Sequence, residues 1–203
     1  MKTAPTVSTA RMAEIYGEMV QFRREYCDDS HFFRMTEFWT WVCGDGGNWR
    51  IKLFRSHLGE NYERKASVVS FADSAILTVD EELWARAKGA CRFANFVLAH
   101  ELSHLALDHH AKRLVVKHFQ LFDSSNGYKS NIPPTVEELE ANFAAVFFQC
   151  GVTLQDHRWT TIALAKRAFS DVEYVRKAQT FVRMEVFQRE LSKPKPRAKR
   201  VIL

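Results

Sequence analysis

The chain has 203 residues, 46% of them hydrophobic and 26% charged, which fits one domain with a sizeable core and excludes a disordered chain. The net charge of +5 lies wholly in the last eleven residues, "KPKPRAKRVIL", so residues 1–192 balance and the body has no basic bias toward nucleic acid. No stretch has the apolar length of a signal-peptide core or a membrane span, and Cys27, Cys43, Cys91 and Cys150 show no CxxC spacing. A cytoplasmic protein with reduced, buried thiols is expected.

The elements read as follows in chain order. Residues 8–28 carry Met12, Ile15, Tyr16, Met19, Phe22 and Tyr26 at helical spacing. "HFFRMTEFWTWVC" is a short aromatic helix stopped by "GDGGN". "WRIKLF" alternates like a strand, and "SVVSFADSAILTV" reads as an antiparallel pair turning at Asp73-Ser74. "DEELWARA" starts a helix at Asp80, and residues 92–110 form a stronger one. "RLVVKHFQLF" suits a strand or extended loop, and "DSSNGYKSNIPP" is loop. A helix over "TVEELEANFAAVFFQC" ends at Gly151, and two more are predicted at about 154–169 and 171–191. Helices around a small sheet make the fold class α+β.

Chemistry is concentrated in "AHELSH", residues 99–104. Residues four apart on a helix share a face and are separated by about 6 Å along the axis. His100 and His104 can therefore aim one imidazole nitrogen each at a single point, while Glu101, turned by about 100°, flanks it. This is the H-E-x-x-H arrangement: neutral imidazoles hold Zn2+ and the carboxylate takes a proton from activated water. Phe93, Phe96 and Val97 line one side of the helix and Leu98, Leu102 and Leu105 another, so the helix is predicted to be buried. Burying three ionisable groups there is costly unless they are paired or coordinated.

Two segments offer a third ligand. His110 stands ten positions after His100, as in the metzincin pattern, but Leu107 occupies the place where that pattern turns on glycine. The helix is then expected to continue and carry His110 away. "EELEANFAA" offers Glu138, with Asn142 four residues on and on the same helix face. Gluzincins use a later-helix glutamate with such an Asp or Asn bracing a ligand histidine; His2Glu leaves the fourth position open, as catalytic zinc requires. Glu137 and Glu140 are fallback ligands. Thr135 and Glu138 also form a capping-box pattern, and a helix starting instead at Ser130 or Asn131 would free Glu138.

At Ala99–His104 and Glu138–Asn142 the sequence resembles the ImmA/IrrE family of zinc metallopeptidases, which shows "AHELGH" followed by an "ExEANxFAAELLMP"-like helix. The likeness covers about residues 48–152. Asn142 runs into Phe143-Ala144-Ala145 one residue short of the family spacing, and alignment on "FAA" would move the ligand to Glu137. Phe148-Gln149-Cys150-Gly151 replaces "LLMP". The resemblance implies a compact zincin-like core, a mini-gluzincin with a small antiparallel sheet packed on the H-E-x-x-H helix and extra helices at both ends. It also implies a single catalytic Zn2+, and as partner a protein substrate, a helix-turn-helix transcriptional repressor of phage, mobile-element or stress genes.

The implied organisation is N-terminal helices over 1–47, a metallopeptidase core over 48–152, C-terminal helices over 153–192 and a basic tail over 193–203. His109, His118 and Tyr128 are candidates to stabilise an oxyanion, and "SAILTV" is the candidate sheet edge for a peptide. The alternative function is a non-catalytic zinc-holding module that binds a repressor or DNA. "IALAKRAFSDVEYVRKAQ" has a faint helix-turn-helix look, and the tail could add phosphate contacts, but Asp171 and Glu173 oppose DNA and no glycine marks the turn. No membrane partner is expected.

Overall fold

The computed structural model describes residues 6–44, 47–55, 66–71, 74–109 and 135–193. Helices α1 (Thr9–Tyr26) and α2 (Met35–Val42) precede a sheet of β1 (Trp49–Phe54), β2 (Ala66–Phe71) and β3 (Ser74–Asp80). Then come α3 (Glu81–Lys88), α4 (Arg92–Ala106), α5 (Val136–Cys150), a 3-10 turn at Gly151–Gln155, α6 (Thr161–Arg167), α7 (Val172–Val182) and α8 (Glu185–Ser192). The architecture is α+β and mostly helical. His110, His118, Tyr128 and "RLVVKHFQLF" lie outside the described residues, as does the tail after Lys193.

The core is set by α4 and α5, which pack on each other. Every residue from Ala94 to His104 and from Ala141 to Cys150 is buried. A helix apolar on nearly all sides has to lie between other elements. Here α1 covers α5 while β2 and α3 cover α4. Aromatic edges fill the spaces: Tyr16 meets Phe147 at 5.1 Å and Phe38 meets Phe148 at 4.9 Å, both edge-on.

The sheet differs from the expected antiparallel one. Its order is β1-β3-β2; β2 pairs antiparallel with β3, but β1 pairs parallel with it. Ala66, Val68, Ala75, Leu77 and Val79 alternate inward and are buried, the period of a sheet with one covered face. "SAILTV" is β3, hydrogen-bonded on both sides, so it cannot be the free edge; β2 is an edge and lies against α4. Alternation shows which face is buried but not which strand is central.

Helix ends account for the remaining differences. The expected 154–169 helix is shortened because Asp156 and Thr160 spend their side chains on the backbone amides of Arg158 and Ala163. The expected 171–191 helix breaks at Met184, which is extended (φ −70°, ψ 135°). The break swings α8 against α1, where Phe187 meets Tyr16 at 5.7 Å. All four cysteines are free thiols, but only Cys150 is fully buried. Cys27, Cys43 and Cys91 cap helix ends, where one flank stays open. No helix among the described residues is long and apolar enough to cross a membrane.

Candidate metal centre

His100 and His104 face inward from consecutive turns of α4, and their Nε2 atoms are 2.9 Å apart. Glu138, in the first turn of α5, brings Oε2 to 3.2 Å from His100 Nε2 and Oε1 to 3.5 Å from His104 Nε2. The ligand-type atoms of all three residues lie within 4.8 Å of one another. Glu140 is turned elsewhere, to His109 and Arg11.

The helix start does not exclude Glu138. Thr135 is the N-cap of α5, and its Oγ1 accepts the Glu138 backbone amide at 3.2 Å. Only this half of the capping pattern binds Glu138 locally; its carboxylate reaches across to the histidines. Capping and a role in the cluster, set against each other by the sequence pattern, are met by different atoms of one residue.

Asn142 sits one turn beyond Glu138, with Oδ1 2.9 Å from His100 Nδ1. Its amide also hydrogen-bonds Tyr174, whose hydroxyl burial pushes up to about 12. With the Asn142 carbonyl oxygen facing the ring, His100 carries its proton on Nδ1 and offers the Nε2 lone pair to the cluster. Burial lowers the His100 pKa, against the pull of Glu138, and so keeps the ring neutral. Burial alone would raise Glu138; a histidine that carries a proton on Nε2 hydrogen-bonds its carboxyl and holds it well below the usual range, and with both Nε2 atoms bare that stabilisation falls to a cation. Two imidazoles and a carboxylate with lone pairs converging in a buried site repel one another, and a cation between them turns that repulsion into coordination.

Glu101 occupies the flank toward β2. It is buried, and among the described residues its Oε1 has no hydrogen-bond partner. Burial, reinforced by the Glu138 charge, pushes it up to about 8, against a hydrogen bond from the Val68 backbone. That bond places the β2 edge beside the cluster. Glu101 is thus a fourth buried ionisable group beside the His-His-Glu cluster, with its carboxyl pushed toward neutrality.

The helix does not run on through Leu107 as expected. It ends at Ala106, and Asp108, one residue past the place of the metzincin glycine, takes a left-handed conformation (φ 53°). The Asp108 amide bonds Leu105 O at 3.0 Å and the His109 amide bonds His104 O at 3.1 Å, the paired bonds of a Schellman turn. His109 is thereby folded back, with Nδ1 3.0 Å from His104 Nδ1. One of three candidates for stabilising an oxyanion, it stands here as a buried neighbour of a cluster histidine.

Sequence spacing gave no sign of Tyr174 or Val68, which arrive from α7 and β2. An Asp ahead of a histidine, four residues after His104, is the available signal for the turn. The α6–α7 pair turns on Phe169 (φ 52°), and α7 begins with Asp171 as N-cap and Glu173 in its first turn. Compared with known proteins, the chain matches no family model, no curated protein and no solved structure.

Proposed function

We propose that the chain is a zinc-dependent endopeptidase with a zincin-like core, in which His100, His104 and Glu138 hold one catalytic Zn2+ ion. The observation that carries this reading is the buried His-His-Glu convergence with a fourth ionisable group, Glu101, beside it and not among the three. A structural zinc site closes all four positions with protein ligands, whereas three ligands and an adjacent base suit hydrolysis. The ImmA/IrrE resemblance of residues 99–104 and 138–142 supports the same assignment and suggests a helix-turn-helix repressor as substrate.

Zinc, when bound, would supply a Lewis acid that polarises a carbonyl and acidifies water. The residues of the chain would do the rest. Glu101 takes the proton of the attacking water and delivers it to the departing amine nitrogen. Standing beside the three ligand-type residues and not among them, its carboxyl is available both to take a proton and to give it back. Asn142 keeps the His100 ring in the tautomer that leaves Nε2 available. The β2 edge, tied to Glu101 through Val68, offers backbone groups against which an extended peptide can be laid.

The test is proteolysis by the zinc-loaded full chain of a panel of helix-turn-helix repressors together with a general peptide library, with new termini read by mass spectrometry. Cleavage that is abolished by chelation and by Glu101→Gln is expected. A zinc-loaded wild type that generates no new termini would contradict the endopeptidase assignment.

A further inference from the structure

Beyond the three ligand-type residues, one chain of polar groups continues from the cluster to the surface. His104 Nδ1 lies 3.0 Å from His109 Nδ1, and His109 Nε2 lies 3.2 Å from Glu140 Oε2. Arg11 grips Glu140 with both arms of its guanidinium, Nε to Oε1 and Nη2 to Oε2, each at 3.3 Å. The series joins the end of α4, α5 and α1, and His109 and Glu140 are largely shielded from solvent within it.

We propose that His109 is a positioning residue for His104, fixing the tautomer and orientation of that ring, with Glu140 and Arg11 as its anchor. The inference rests on the metal-site reading above. The hydrogen-bond logic runs in one direction only. To present Nε2 to a metal, neutral His104 must carry its proton on Nδ1, so His109 Nδ1 has to be the acceptor. The His109 proton then belongs on Nε2, where a carboxylate receives it, and Glu140 stands there. A ligand histidine is ordinarily oriented by a carboxylate or carbonyl directly. Here a second imidazole is interposed: the turn at Asp108 folds His109 back between His104 and Glu140.

His100 and His104 are thus held by different devices, an amide from α5 for one and an imidazole–carboxylate–guanidinium series for the other. Arg11 Nη1 also reaches Glu14 at 3.3 Å, so the anchor is embedded in the surface of α1. Loss of either inner member would leave the His104 ring free to choose the other tautomer, which turns a protonated nitrogen toward the cluster. Metal affinity would fall by roughly 10- to 100-fold, the range for groups that orient metal ligands.

The test is competitive chelator titration of zinc with the full chain, paired with the visible absorption spectrum of the cobalt-substituted protein. Wild type, His109→Phe, His109→Asn and Glu140→Gln are compared, with circular dichroism of the metal-free forms as the folding control. The expected result is weakened zinc binding and an altered cobalt spectrum in His109→Phe, with substantial recovery in His109→Asn, whose amide oxygen can accept from Nδ1. Folded His109→Phe with wild-type affinity and spectrum would overturn the inference. Should His109→Phe fail to fold, Glu140→Gln decides on the same two readouts: weaker affinity and a changed spectrum support the positioning role, and wild-type values overturn it. A wild type that binds neither metal would instead defeat the metal-site reading itself, a separable outcome.

Discussion

Asn142 and His100 are joined across the α4–α5 interface by a single 2.9 Å contact between Oδ1 and Nδ1. Both side chains are buried, and the bond fixes which imidazole nitrogen faces His104 and Glu138. Asn142→Ala is therefore expected to weaken zinc binding by roughly 10- to 100-fold, while Asn142→Asp, which keeps the acceptor, retains most of it. Chelator competition on folded variants checks this. Equal affinities for wild type and Asn142→Ala would remove Asn142 from the site.

Asp108 has to hold φ at 53°, a conformation tolerated by Asp and Gly and strained for β-branched residues. Asp108→Gly should preserve the turn and the placement of His109. Asp108→Val should lower stability by about 1–3 kcal/mol and weaken metal binding together with it. Urea unfolding alongside zinc titration measures both; a Val variant indistinguishable from wild type would refute the turn assignment.

In the metal-free chain Glu101 is pushed up to about 8 from its ordinary 4.5, first by burial and then by Glu138. A carboxyl with a raised folded pKa contributes stability that is fully present below the unfolded value and is lost as pH rises toward the folded one. Relative to Glu101→Gln, the wild type should thus lose stability between about pH 4.5 and pH 8 and run parallel to the variant above that. Denaturation midpoints across this window test it. Parallel curves throughout would mean that Glu101 ionises freely in the fold.

Gly151 ends α5 at φ 54° and ψ −144°, and a Cβ there would stand 2.9 Å from Arg23 Cδ. Arg23 is buried, and its Nη1 donates to the carbonyls of Phe148 at 3.0 Å and Gln149 at 3.2 Å, while Nη2 bonds that of His31. The guanidinium caps the carbonyl end of α5, where the helix dipole favours a cation. Gly151→Ala should cost about 1–3 kcal/mol through backbone strain alone. Arg23→Met should cost at least as much, because it removes the charged donor from the carbonyls of Phe148, Gln149 and His31. Thermal unfolding of the two variants measures both losses.

Much of this was legible before any fold was in hand. Histidines four apart on a helix share a face by geometry, and the Glu138–Asn142 spacing obeys the same rule, so periodicity gives the shared face of each pair but not the meeting of the two faces. The β2–β3 hairpin followed from alternation and turn residues. Relationships between segments were not legible. Nothing in "WRIKLF" distinguishes a parallel from an antiparallel neighbour, and the centrality of β3 depends on both partners. The turn after α4 has no glycine to mark it in the sequence; Asp108 reaches a left-handed conformation with a short polar side chain instead. Arg11 and Tyr174 join the site from α1 and α7, far outside the reach of a helix repeat, and no local pattern encodes such meetings.

In the proposed site His100, His104 and Glu138 hold one catalytic zinc ion and Glu101 stands outside the ligand set. This assignment is tested most directly by elemental analysis of metal per chain after preparation without chelators, for wild type, Glu138→Ala, Glu137→Ala and Glu101→Gln. One zinc per chain in wild type, lost in Glu138→Ala and kept in Glu137→Ala and Glu101→Gln, is the predicted result. A zinc-free wild type, or zinc that persists in Glu138→Ala and disappears in Glu137→Ala, would contradict it.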